Sequence, residues 1–196
     1  MAGRRGHRGW ETRWRVTRGV WQRARVMGEA DVVEVLDLLA DAGATAWVDG
    51  GWGVDALIGE ATRDHSDLDL VVLLDQLDLV RETLSGAGFT RVLRDWLPTA
   101  LALADVAGRE IDLHPISTAP DGGGEQLLPN GDRFHYPAPV TGRIGGHEVR
   151  CVDATTQVLC HVGYEPTGKD RQDMALLHKR IGVALPDEYL GTSLGD

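Results

Sequence analysis

Three aspartates carry the chemistry that this chain can offer. Asp67 and Asp69 begin a strand-like run that continues as LDLVVLL, and Asp112 lies within REIDLHPI. Residues two apart on a strand project from the same face, so Asp67 and Asp69 converge while Leu68 and Leu70 turn into a core. Adjacent carboxylates raise each other's pKa unless a cation intervenes, and a hard divalent ion such as Mg2+ resolves that repulsion through oxygen ligands. The alternation Ile111-Asp112-Leu113 turns Asp112 away from the apolar side, so that it completes the set from a neighbouring strand. Upstream, Gly50 and Gly51 stand between a strand and a short helix, where backbone amides and the positive helix end can hold phosphate oxygens. A side chain there would obstruct the approach of phosphate to the backbone. Carboxylate-bound metal beside a triphosphate is the equipment for in-line displacement at phosphorus by a hydroxyl.

These residues need elements to position them. Val32, Val35, Leu36 and Leu39 recur at helical spacing over residues 30–42, and Gly43 stops the helix. Residues 45–48 predict a strand leading into Asp49-Gly50-Gly51, and a short helix follows over 52–58. The run 68–74 is apolar enough for a central strand, and 76–87 predicts another helix. Residues 89–94, 99–106 and 109–116 predict a strand meander, its last two members joined by Ala107-Gly108. The Gly- and Pro-rich stretch 117–146 reads as loop with strand pieces near 134–136 and 148–152. Asp153 is an N-cap candidate for a helix carrying Val158 and Leu159, and 169–181 forms a final helix. The expected organisation is a basic, flexible extension over 1–26, a core over 27–151 and a helical portion over 152–196 packed on it.

The chain has 196 residues and a net charge of −10, but the first 26 residues carry eight arginines against Glu11 alone. The remainder is therefore strongly acidic, which argues against a broad nucleic-acid-gripping face and favours cationic partners. No apolar run is long enough to span a bilayer, so no membrane association is expected and the protein reads as cytoplasmic. Cys151 and Cys160 form no close pair and read as small buried hydrophobes rather than a disulfide framework or zinc site. Trp10, Trp14 and Trp21 would share a helical face within the extension. The patterned sequence begins at Met27, which makes the extension dispensable in this reading. Nothing in the sequence speaks to oligomeric state.

The order WVDGGWGVDALIGEATRDHSDLDLVV, then REIDLHPI, then CHVGYEPTGKDRQDMALL resembles the antibiotic nucleotidyltransferases of the polymerase-β-like superfamily. The resemblance runs over roughly residues 30–182. It lies nearest the lincosamide nucleotidyltransferases and next to the aminoglycoside 2''-nucleotidyltransferases. It implies an α+β fold with a mixed central sheet flanked by helices and a small C-terminal helical portion. It also implies that Asp67 and Asp69 are Mg2+ ligands, that Asp112 joins the metal site or acts as base, and that Gly50 and Gly51 face the triphosphate of ATP. A nucleoside monophosphate would pass from ATP to a hydroxyl of a small-molecule antibiotic, releasing pyrophosphate. The gap between Gly51 and Asp67 is longer than in the superfamily's shortest motifs and suits the antibiotic-modifying branch.

Other residues carry two readings each. Arg63 and His65 either contact phosphate or order the loop, or else form a solvated turn. Lys169 either reaches a phosphate as a point charge or pairs with Asp173 one turn on. His114 and His161 read as structural. Trp52 and Trp96 stack on a ligand ring or wall a core. Glu165 and the loop 121–124 are weak acceptor candidates. Gly51-Trp52-Gly53-Val54-Asp55-Ala56 matches a dinucleotide-binding G-x-G-x-x-A pattern, but the helix is short and two acids open the next strand, against that fold. An EF-hand loop at 64–69 fails on ligand spacing. A nucleotidyltransferase acting on tRNA or protein, and a non-catalytic binding module, complete the rivals.

Overall fold

The computed structural model describes residues 26–190; the expectations for the arginine-rich extension and its tryptophans lie outside the described residues. The elements run α1 (Glu29–Asp41), β1 (Ala46–Asp49), α2 (Gly50–Ile58), β2 (Asp67–Leu73), α3 (Leu77–Gly86), β3 (Arg91–Trp96), β4 (Ala100–Ala104) and β5 (Glu110–Thr118). They continue as β6 (Gly124–Leu127), β7 (Arg133–Tyr136), β8 (Val140–Ile144), β9 (His147–Cys151), α4 (Ala154–Cys160), α5 (Gly168–Ile181) and α6 (Asp187–Leu190).

One mixed sheet organises the described residues, in the order β3-β4-β5-β2-β1-β9-β8, with the β6–β7 hairpin attached through β5. β2 and β5 are parallel, β1 and β2 antiparallel. A parallel pair needs a crossover connection, and α3 with the β3–β4 hairpin supplies it. The fold class expected from the resemblance is therefore the one observed.

The period of two sorts each strand into two faces. Leu68, Leu70 and Val72 of β2, with Leu101, Leu103, Ile111 and Leu113, enter the main core beneath α1 and α3, which contribute Val32, Val35, Leu39, Val80 and Leu84. The alternate positions look the other way. There Trp47, Val71, Ile116, Tyr136 and Val152 build a second, smaller apolar cluster, and the carboxylates lie further along the same face. A third cluster packs α2 against the carboxy-terminal helices through Val54, Val158, Met174 and Leu177.

The structure corrects the sequence reading in three places. The stretch expected to be mainly loop contains the β6–β7 hairpin and the first strand of the β8–β9 hairpin, with β6 and β8 as the unforeseen members. The helix after β1 begins at Gly50 rather than Trp52, so both glycines belong to its first turn. A short α6 follows α5. The antiparallel pairing of β1 with β2 also removes the G-x-G-x-x-A stretch from any β-α-β unit.

Candidate active site

Register brings the acids together. Asp49 of β1 faces Asp69 of β2, Asp69 faces Asp112 of β5, and Asp67 faces Glu110. Directly opposed residues share a face, so Asp49, Asp67, Asp69, Glu110 and Asp112 form one acidic patch across three neighbouring strands. Burial raises the pKa of Asp69, and the negative charges of Asp67 and Asp112 raise it further, against a hydrogen bond from His114. The Glu110 carboxyl is raised likewise, first by burial and then by Asp67 and Asp112. Burial is the first cause of both shifts and the neighbouring carboxylates add to it, a contribution that a bound cation would offset.

Two nitrogen-bearing side chains of the protein, Arg94 and His114, already lean on the patch. Arg94 of the edge strand β3 reaches across Ala102 of β4 and forms an ion pair with the Asp112 carboxylate. The small Ala102 leaves that path open, and the guanidinium also lies 5.6 Å from the centre of the Trp96 ring. His114 Nε2 is 3.4 Å from Asp69 Oδ1, and its Nδ1 is 3.3 Å from Gln126 Nε2. Burial would lower the imidazole pKa, but Asp69, Asp49 and Asp112 outweigh it and hold His114 above the ordinary histidine value. Among the described residues, no three His, Cys, Asp or Glu side chains stand close enough to hold an ion as they lie. The donor set nonetheless fits a hard divalent cation, since every acid in the patch offers oxygen.

Gly50 and Gly51 take their places for reasons internal to the protein. Gly50 has φ +58° and its α-carbon faces the Asp69 carboxylate, so a side chain would strike Oδ2. At Gly51 an added β-carbon would lie 2.5 Å from both Arg63 Nη2 and His65 Nδ1. Asp49 closes the turn as N-cap, accepting from Gly50 N at 2.8 Å. The reason inferred from sequence, access for phosphates, is thus joined by a second: the glycines make room for the site's own side chains.

Arg63 and His65 are neither a solvated turn nor equivalent. Arg63 donates through Nε and Nη2 to the two oxygens of Asp173 on α5, at 2.9 and 2.6 Å. Buried His65 meets Asp55 Oδ2 at 2.6 Å through Nε2, and its ring lies 4.5 Å from that of Trp52. Its carbonyl also accepts from Met27 N at 2.9 Å. His65 therefore orders the loop ahead of β2. Lys169 is exposed at the second position of α5. The partner considered for it, Asp173, is 2% exposed and taken by Arg63 instead. Trp52 belongs to the core, whereas Trp96 is 44% exposed beside Arg94.

Sequence reasoning passed over Asp49, Glu110 and His114 as site residues. Glu110 and His114 stand two residues either side of Asp112, and the alternation that selected Asp67 and Asp69 selects them too. Asp49 carries no such local signal, because its place follows from pairing with β2.

Similarity to known proteins agrees with this architecture. A family model described as aminoglycoside-2''-adenylyltransferase matches residues 31–177. A lincosamide resistance protein of Staphylococcus haemolyticus is 29% identical over 148 residues, 74% of this chain and 91% of that protein. A 2''-aminoglycoside nucleotidyltransferase of Escherichia coli is 32% identical over 108 residues, 54% of this chain and 56% of its own length. Among solved structures, the lincomycin-bound lincosamide antibiotic adenylyltransferase LnuA superposes with a TM-score of 0.71 at 28% identity, covering 78% of this chain and 98% of that one.

Proposed function

Because the chain belongs to the aminoglycoside-2''-adenylyltransferase family, we propose that it transfers AMP from ATP to a hydroxyl of a lincosamide or aminoglycoside antibiotic in the cytoplasm, releasing pyrophosphate. The single observation that carries this reading is the carboxylate row, with Asp69 opposed to Asp112 and flanked by Asp67 beside the amino end of α2.

Asp67, Asp69 and Asp112 would hold Mg2+. When bound, the ion would offset the negative charge of the phosphates and of the attacking oxygen. The chain's own groups account for the remaining work. The amino end of α2, at Gly50 and Gly51, favours anionic phosphate oxygens through its dipole and amides. Arg63, beside Gly51, supplies positive charge at the same edge, and Lys169 would add a second cation by reaching from α5. His65 contributes by holding the loop on which Arg63 sits. Asp112 accepts the acceptor's hydroxyl proton as its oxygen attacks the α-phosphorus and the bond to pyrophosphate breaks. The acidic patch suits the amines of an aminoglycoside, and the first relative named above acts for the lincosamide arm.

The test is incubation with ATP, Mg2+ and a panel of both drug classes, read by mass spectrometry. An adenylylated drug is expected, with turnover abolished in Asp67→Asn and Asp69→Asn and lowered about 10²-fold or more in Asp112→Asn. Absence of any adduct, or near-normal rates in both Asp67→Asn and Asp69→Asn, would overturn the reading.

A further inference from the structure

Behind the carboxylate row, the β6–β7 hairpin carries two polar side chains for which the reaction described above has no use. Gln126 is 6% exposed and Tyr136 3%, and polar groups buried this deeply are costly unless hydrogen-bonded. Their partners form an ordered series. The carbonyl of Thr99 can only accept, so the Gln126 atom 2.9 Å from it is Nε2. The second proton of that nitrogen faces His114 Nδ1 at 3.3 Å. In the neutral ring Nδ1 is then the acceptor, and the proton belongs to Nε2, which addresses Asp69 Oδ1. Gln126 Oε1 faces the Tyr136 hydroxyl at 3.4 Å, and Asp49 Oδ2 lies at the same distance, so the single hydroxyl proton serves one of these two acceptors at a time. The hydrogen-bonded series therefore runs from Thr99 through Gln126 and His114 to Asp69, with Tyr136 placed between Gln126 and Asp49.

The series meets Asp69 from one side only, through His114. Oδ1 takes His114, while Oδ2 lies over Gly50, so rotation of the carboxylate is limited from both directions. We infer that His114 and Gln126 are positioning residues: Thr99 orients the Gln126 amide, the amide decides which nitrogen His114 presents, and His114 aims the Asp69 carboxylate. This rests on the reading of Asp67, Asp69 and Asp112 as divalent-cation ligands. Groups that orient metal ligands in this way cost roughly 10- to 100-fold in metal affinity or activity when removed.

The experiment measures Mn2+ binding to the full-length, nucleotide-free protein by calorimetry, together with kcat, the KM for the drug and the thermal midpoint. His114→Leu and Gln126→Leu should each weaken Mn2+ binding and lower kcat by about tenfold or more, with little change in the drug's KM. His114→Gln keeps an amide donor toward Asp69 and should recover most of both losses. Wild-type Mn2+ affinity in His114→Leu and Gln126→Leu overturns the inference. So does a His114→Gln variant as impaired as His114→Leu at an equal thermal midpoint. Should His114→Leu fail to fold, Gln126→Leu and His114→Gln decide alone. Asp69→Asn separates the two levels. If it abolishes Mn2+ binding while His114→Leu leaves binding intact, only the positioning role falls. If Asp69→Asn itself binds Mn2+ normally, the ligand assignment falls and takes this inference with it.

Discussion

Gly50 combines a left-handed backbone with contact against a functional carboxylate, φ +58° beneath Asp69 Oδ2. A residue with a side chain costs about 1–2 kcal/mol in that backbone region, and here its β-carbon also displaces the carboxylate. Gly50→Ala should therefore lower adenylyl transfer far more than it lowers stability. A rate within a factor of two of wild type, with only the thermal midpoint reduced, would show that Asp69 tolerates displacement. At this scale much was legible from residue type and spacing. Alternation turned Asp67, Asp69 and Asp112 to one side, and it would have turned Glu110 and His114 with them. Treating His114 as an isolated core histidine hid it, although Asp112 was already known to face that way. Asp49 and Arg94 were out of reach, since one depends on antiparallel register and the other on a side chain crossing Ala102 from an edge strand.

Helices were easier to read than the second half of the sheet. Asp153 was recognisable as a cap, and its carboxylate accepts from Thr155 N and Thr156 N at 2.9 and 3.1 Å. Asp153→Ala should cost about 1 kcal/mol, measured by urea denaturation; no loss would mean that α4 is held wholly by its packing on α2. The apolar runs behind β2, β4 and β5 also announced themselves. By contrast, β6 and β8 are short, carry glycine at Gly124 and Gly142, and present few apolar residues in alternation. Their strand character comes from partners that local pattern does not reveal. One signal was present: Gly145-Gly146, with φ +55° and +83°, is the two-residue connection that a tight hairpin prefers. Dense glycine and proline around it made a structured turn look like unstructured chain.

Across the whole molecule, charge pairing ties distant segments to the sheet. Arg109, at the entry to β5, donates to Asp105 at 2.7 Å and to Asp31 and Glu34 of α1 at 3.1 and 3.0 Å. Burial opposes ionisation of Asp105, but its hydrogen bonds with Arg109 outweigh that and hold its pKa below the ordinary value. A depressed folded pKa gives stability that is present above the unfolded value, about 3.9 for aspartate. That stability is lost as pH falls through the lower folded value. Asp105→Asn should cost about 2 kcal/mol at neutral pH, and the gap from wild type should close below about pH 4. A gap that stays constant into acid would assign the cost to shape rather than charge. The buried acid Asp173 makes another such tie with Arg63, spanning 110 positions of sequence. During synthesis, the guanidinium beside Gly51 emerges long before its counter-charge is made. A ribosome that stalled between β5 and α5 would release a chain holding every carboxylate of the acidic patch, yet with Arg63 deprived of Asp173. Such a product would also lack Met174 and Leu177, which pack against Val54 of α2, so the helix that opens at the paired glycines would lose its outer support.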